Sequence, residues 1–222
     1  MRGRLIVFEG VEGAGKTTQL ERLAAVLSRA GVTCRAFREP GGTPLGDAIR
    51  RLLLDPSSTM TPRTEAMLFL ASRAELVARE VRPSLEAGHV VLLDRFFLST
   101  YAYQVAGRGL PETDVRSANL VATEGLVPDL TLLFTVDPRL GLARADRRSD
   151  RDRIERSDDA FHARVARAFT EFSTRAWQQR HEECGPVVAV DGSASPEVVA
   201  EQVLDEVTAR FPELRPAPEV LA

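Results

Sequence analysis

The stretch Leu5-Ile6-Val7-Phe8-Glu9-Gly10-Val11-Glu12-Gly13-Ala14-Gly15-Lys16-Thr17-Thr18 limits the fold more than any other in this chain. Its apolar start has the length and continuity of a strand buried on both faces. The run stops at Gly10, and an amphipathic helical pattern begins near Gly15. Between the two lies Gly-x-x-x-x-Gly-Lys-Thr, a spacing that lets the backbone curl and aim successive N–H groups at one phosphate. The N-terminus of the following helix adds its dipole to the same anion site.

Among the 29 Lys and Arg side chains, Lys16 is the only lysine. Arginine serves everywhere else, so the compact ammonium has been kept at the one position where a phosphate calls for a point charge. Lys16 is expected to reach the β- and γ-phosphates, and the Thr17 hydroxyl to sit on Mg²⁺.

With 222 residues, 44% of them hydrophobic, the chain can build one large core. A net charge of −3 gives no sign of a nucleic-acid surface or an anionic-membrane surface. Cys34 and Cys184 lie far apart, which predicts two inert thiols in a reducing compartment rather than a metal site. The histidines His89, His162 and His181 are scattered. No apolar stretch approaches a membrane span, and the chain enters its first strand at once, without a signal peptide. These features predict a soluble cytoplasmic protein.

Along the chain, strands are expected at 33–38, 90–94, 130–136 and 187–190 after the first, with helices between them. The helices are read at 15–30, 45–54, 61–86, 98–107, 112–124, 138–146, from 157 to about 183, and 196–210. Apolar strands alternating with helices predict an α/β fold with a five-stranded parallel sheet covered on both faces. Residues 1–211 are read as a single domain, with 147–157 as an arginine-rich lid and 212–222 as a flexible tail. Ligands in such sheets bind at the carboxyl ends of the strands. That puts the glycine-rich loop, residues 38–44, Asp94-Arg95 and the loop after Asp191 on one rim.

Asp94 closes the third strand, where a carboxylate can organise the Mg²⁺ that Thr17 touches. On the long helix, Glu65, Phe69 and Arg73 recur every four residues and share a face. That face differs from the expected core stripe of Leu68, Ala71 and Val81. A ring beside a guanidinium suits a planar base, one stacking and the other bonding a carbonyl edge.

From about residue 4 to residue 210, the chain resembles the bacterial thymidylate kinases, a family with a P-loop NTPase fold. The resemblance is carried by Phe8 to Thr18, Arg38-Glu39-Pro40-Gly41-Gly42-Thr43, Leu68-Phe69-Leu70-Ala71-Ser72-Arg73, Asp94-Arg95-Phe96-Phe97-Leu98-Ser99-Thr100-Tyr101-Ala102-Tyr103-Gln104 and Asp152-Arg153-Ile154-Glu155. It implies transfer of the γ-phosphoryl of Mg·ATP to dTMP by a homodimer. It also implies that Gly10, Val11, Glu12, Gly13, Ala14, Gly15, Lys16, Thr17 and Thr18 hold ATP. Phe69 would then stack on thymine and Arg73 bond its carbonyl, with Ser99, Thr100 and Gln104 completing base recognition. Tyr103 would press on the sugar where a ribonucleotide carries its 2′-hydroxyl, and Glu12 would approach the 3′-hydroxyl. Arg38 and Arg95 would hold the acceptor phosphate, with Thr17 and Asp94 at the metal.

Gly13 leaves the P-loop without an arginine, so the resemblance points to the type whose catalytic arginine lies in the lid. Arg148, Arg151 and Arg153 are the candidates, among Arg147 and Arg156. Alternating signs over 147–159 would otherwise describe a solvated helical face. The rival activities are a deoxynucleoside kinase or another nucleoside monophosphate kinase, and from another class a catalytically silent ATP-binding module. A guanine-reading switch is excluded, because its Asn-Lys-x-Asp motif needs a second lysine.

Overall fold

In a computed structural model, the five expected strands pair as one all-parallel sheet in the order β2-β3-β1-β4-β5. The structure describes residues 2–137, 140, 141, 144, 152–217 and 219. The strands are β1 Arg4–Gly10, β2 Cys34–Arg38, β3 Val90–Asp94, β4 Leu130–Thr135 and β5 Val187–Asp191. The central strands have almost wholly buried residues because helices cover both faces. The register sets Phe8 beside Asp94, and Asp94 beside Arg38. Three chemistry-bearing segments therefore leave the sheet at one rim.

One face carries α1 (Lys16–Arg29) and α9 (Pro196–Arg210), packing Leu20, Leu23, Val199 and Val203 onto Ile6, Phe8 and Leu132. The other face carries α3 (Pro62–Leu76), α4 (Arg82–Glu86), α5 (Phe97–Thr100) and α7 (Asp159–Phe172). The remaining helices are α2 (Pro44–Leu54), α6 (Glu112–Thr123) and α8 (Arg175–Gln178). Among the described residues, no helix is long and apolar enough to cross a membrane. Cys34 and Cys184 are both free thiols. Burial raises both, Cys34 to about 11, so neither is reactive near neutral pH.

Three expectations are corrected. The helix expected over 61–86 contains a π-helical turn at Val77–Val81, and its core stripe is Ala66, Leu70, Leu76, Val77 and Val81. Ala71 is exposed and Leu68 only half-buried. The long helix expected to reach 183 ends at Phe172, and Thr174 starts α8 by accepting a hydrogen bond from the Trp177 N–H. The tail does not become irregular at 212. Pro212–Leu214 form a 3₁₀ turn, Leu214 is buried, and Glu213 pairs with Arg4 at 2.8 Å. The helix expected at 138–146 and the lid candidates Arg147, Arg148 and Arg151 fall largely or wholly outside the described residues.

Candidate active site

At the rim, the P-loop turns on glycines that hold left-handed backbone. At Gly13 (φ 70°), an added Cβ would lie 2.0 Å from the Gly141 carbonyl oxygen, so no side chain fits there. Lys16 extends over this loop and donates to the carbonyls of Gly10 at 3.0 Å and Val11 at 2.8 Å. Burial, then the nearby Arg95 cation, lower its pKa to about 8.

Thr17 Oγ1 donates to Asp94 Oδ2 at 2.6 Å. These are one neutral and one anionic oxygen, both lining the cleft. No group of three or more His, Cys, Asp or Glu side chains placed to hold a metal ion occurs among the described residues. Such a sparse donor set fits a hard divalent cation that draws its other ligands from phosphates and water.

Arg95 follows Asp94 with φ 73°, a strained backbone for a residue with a side chain. Neighbouring bonds hold it there. Its N–H donates to the Phe8 carbonyl at 2.9 Å, and the fully buried Glu9 accepts from the N–H groups of Phe96 (2.7 Å) and Ser99 (3.0 Å). The Arg95 guanidinium bonds the Glu12 carboxylate and Ser99 Oγ, and lies 5.3 Å from the Tyr103 ring centre. Burial alone would raise the Glu12 pKa, but Arg95 and Lys16 hold it below the usual carboxylate range.

Arg38, Arg50 and Arg95 line the same cleft. Burial and the Arg38 charge lower the Arg50 pKa, which marks a cationic group that an anion would relieve. The sequence reading gives Arg50 no role. Asp47 and Arg50, three apart on α2, both bond the 38–44 loop, at the Gly42 N–H and the Pro40 carbonyl.

Arg73 is 2% exposed and spends all five N–H groups inside the protein. Nε and Nη2 bond Glu39 Oε2, Nη2 also bonds the Phe96 carbonyl (2.8 Å), and Nη1 bonds Thr100 Oγ1 (2.9 Å) and Asn119. The expected bond to a base carbonyl would have to displace one of these. Phe69 is half-buried and lines the cleft with Arg73, Ser99, Thr100, Tyr103 and Gln104. This cleft of about 880 Å³ also holds Glu12, Gly13, Gly15, Lys16 and Thr17, so the phosphate loop and the aromatic wall share one cavity.

Of the lid candidates, Arg153 is described, and it is held away from the cleft. Nη1 pairs with Glu65 at 2.8 Å, and Nε donates to the Leu53 carbonyl at 2.7 Å. Its neighbours Asp152, Ile154 and Glu155 line the cleft instead. The loop after Asp191 approaches the P-loop, since a Cβ at Gly192 would come within 2.8 Å of the Ala14 carbonyl.

A family model described as thymidylate kinase matches residues 8–183. Similar proteins include the thymidylate kinase of Deinococcus radiodurans, 49% identical over 172 residues, covering 78% of this chain and 84% of that protein. The thymidylate kinase of Carboxydothermus hydrogenoformans is 44% identical over 199 residues (90% and 94% covered). That of Thermomicrobium roseum is 48% identical over 208 residues (91% and 93%). With the P-loop, the aromatic wall and the arginine rim meeting in one cleft, the chain belongs to the thymidylate kinase family.

Proposed function

We propose that this chain phosphorylates dTMP to dTDP with ATP as donor, by in-line transfer in the cleft described above. The observation that carries the reading is the continuity of that cleft. Lys16 and Thr17 of the phosphate loop, Phe69 and Gln104, and Arg38, Arg50 and Arg95 all line this one cavity. A donor on the P-loop and an acceptor against Phe69 would bring their phosphates together at the arginines.

The arginines favour a phosphate acceptor over a sugar hydroxyl. A phosphate monoester has its second pKa near ~6 and is already a nucleophilic anion at pH 7, so no general base is required. The P-loop carboxylate in the cleft, Glu12, is bonded to Arg95 and held ionised by it, which suits orienting a sugar hydroxyl. Catalysis then rests on positioning and charge neutralisation. Lys16 would release the Gly10 and Val11 carbonyls to take the β- and γ-phosphates, and Arg95 would bridge to the acceptor. Thr17 and Asp94 would hold Mg²⁺, which supplies charge neutralisation at the phosphates.

We assign the transferred-phosphoryl contact to Arg148 or Arg151, and give Arg153 an anchoring role because Nη1 pairs with Glu65, Nε donates to the Leu53 carbonyl, and the side chain does not line the cleft. We also propose a cytoplasmic homodimer. It is supported by the two free thiols and by exposed apolar side chains on packed neighbouring helices, Met67 on α3 and Leu120 and Val121 on α6. Lys16→Ala tests the catalytic reading. A folded variant with kcat lowered by two or more orders of magnitude supports it. Unchanged kcat in a folded variant refutes it.

A further inference from the structure

Glu65 shares a helix face with Phe69 and Arg73, yet the proposed reaction gives it no role. It is 2% exposed, accepts three hydrogen bonds and is ion-paired to a further guanidinium. Oε1 receives Gln104 Nε2 at 3.2 Å and Arg108 Nε at 3.0 Å, Oε2 receives Arg108 Nη2 at 3.0 Å, and Arg153 Nη1 lies 2.8 Å from Oε2. Both guanidinium groups are themselves fixed. Arg108 lies 4.2 Å from the Phe161 ring centre, and Arg153 is tied to the Leu53 carbonyl. Burial alone would raise the Glu65 pKa, but the bonds to Arg108 and then Arg153 hold it below the usual carboxylate range.

An ionised carboxylate offers lone pairs and no proton. A primary amide beside it has one favourable orientation, with its NH₂ toward the carboxylate. Gln104 is 2% exposed and lines the cleft, so fixing Nε2 on Glu65 leaves Oε1 as the end of the amide available to a ligand. The neighbouring guanidinium of Arg73 has no N–H to spare. The polarity shown to a base therefore depends on which way the Gln104 amide points.

We propose that Glu65 is a specificity-positioning residue: by holding the Gln104 amide hydrogens it turns Oε1 into the cleft as an acceptor for a ring N–H. The inference rests on the dTMP reading of this cleft. Thymine and uracil carry a proton at N3, whereas cytosine carries a lone pair there beside an amino group. A fixed acceptor favours the former and leaves a buried oxygen facing a lone pair in the latter. A neutral glutamine at position 65 could donate as well as accept, freeing the Gln104 amide to turn either way.

The test is Glu65→Gln in the full chain, comparing kcat/KM for dTMP and dCMP at saturating Mg·ATP, with the KM for ATP and a thermal melt alongside. The proposal expects kcat/KM for dTMP to fall on the order of 10-fold, through KM, while that for dCMP holds or rises. A parallel fall for both nucleotides would overturn it, because a merely structural role does not distinguish bases. Absence of dTMP-dependent turnover in the unmutated chain would overturn the reaction reading instead. Should the variant not fold, ¹⁵N NMR of the unmutated protein decides. The Gln104 side-chain NH₂ pair, assigned by its loss in Gln104→Leu, should resist solvent exchange before and after dTMP is added. An NH₂ pair that exchanges freely, or moves into a bond with the base, would reverse the orientation and end the proposal.

Discussion

Thr17 and Asp94 join the two halves of the site: the hydroxyl that opens α1 donates to the carboxylate that closes β3, at 2.6 Å. The parallel pairing of β1 with β3 brings them together, since Phe8 and Asp94 are register partners. A metal ion placed between the two oxygens would replace this hydrogen bond. Asp94→Asn should therefore lower kcat by about 100-fold and raise the metal concentration needed for half-maximal rate. Initial rates across a Mg²⁺ titration check this, and an unchanged metal requirement contradicts it.

Lys16 offers a direct electrostatic test, because the chain has no other lysine. Its pKa of about 8 in the unliganded protein lies below the ordinary 10.5, through burial and then Arg95. Above pH 8 the free enzyme loses this cation, so kcat/KM for ATP should fall there, while kcat persists to higher pH because bound phosphates stabilise the ammonium. The sign for stability is opposite. The folded value lies below the unfolded one, so the burial penalty is full below about pH 8 and fades as pH rises toward 10.5. Reductive ¹³C-methylation gives two amine resonances, and the one that moves with ATP should titrate near 8. A value near 10.5 would contradict the described environment.

Gly13 and Gly15 both have positive φ, yet their surroundings differ. A Cβ at Gly13 would meet the Gly141 carbonyl at 2.0 Å, while one at Gly15 would have nothing within 4 Å. Gly13→Ala should cost on the order of 2 kcal/mol or more, and Gly15→Ala only the backbone strain of about 1 kcal/mol. Thermal melting of the two variants ranks them, and equal losses would argue against the Gly141 contact.

Phe69 and Arg73 stand one turn apart on α3 and should fail differently. Phe69 is half-buried at the cleft, so Phe69→Ala should raise the KM for dTMP far more than that for ATP, with a modest change in melting temperature. Arg73→Ala strands Glu39, which is 5% exposed, and should cost about 3–5 kcal/mol before any effect on binding is read. Initial-rate kinetics with denaturant unfolding separate the two. A stable Arg73→Ala would contradict the network.

Much of the fold was legible because β1, β3 and β4 are apolar runs, and runs such as Val90 to Leu93 are buried throughout, whereas the edge strand β2, Cys34–Arg38, carries two arginines and no buried residue. The P-loop and the aromatic wall were legible because each is a local motif. The phase of α3 was not. Ala66 and Leu70 face the core, and at about 100° per residue Ala71 falls about 140° from Ala66, so the stripe is fixed by burial that composition alone does not mark, while the π turn at Val77–Val81 breaks the regular period beyond it. The saturation of Arg73 was hidden because Glu39, Phe96, Thr100 and Asn119 lie 23 to 46 residues away in sequence. Arg153 illustrates the same limit. Its place in an arginine-rich segment suggested the cleft, but contacts with Glu65 and Leu53, set by tertiary packing, hold it elsewhere.

The central claim is that one cleft joins a phosphoryl donor on the P-loop to thymidylate against Phe69. Coupled ADP release with Mg·ATP, offering dTMP, dUMP, UMP, dGMP and thymidine side by side, tests it most directly. The account predicts ADP formation strongest with dTMP and absent with thymidine. Turnover that prefers thymidine, or silence with every acceptor despite measurable ATP binding, would contradict it.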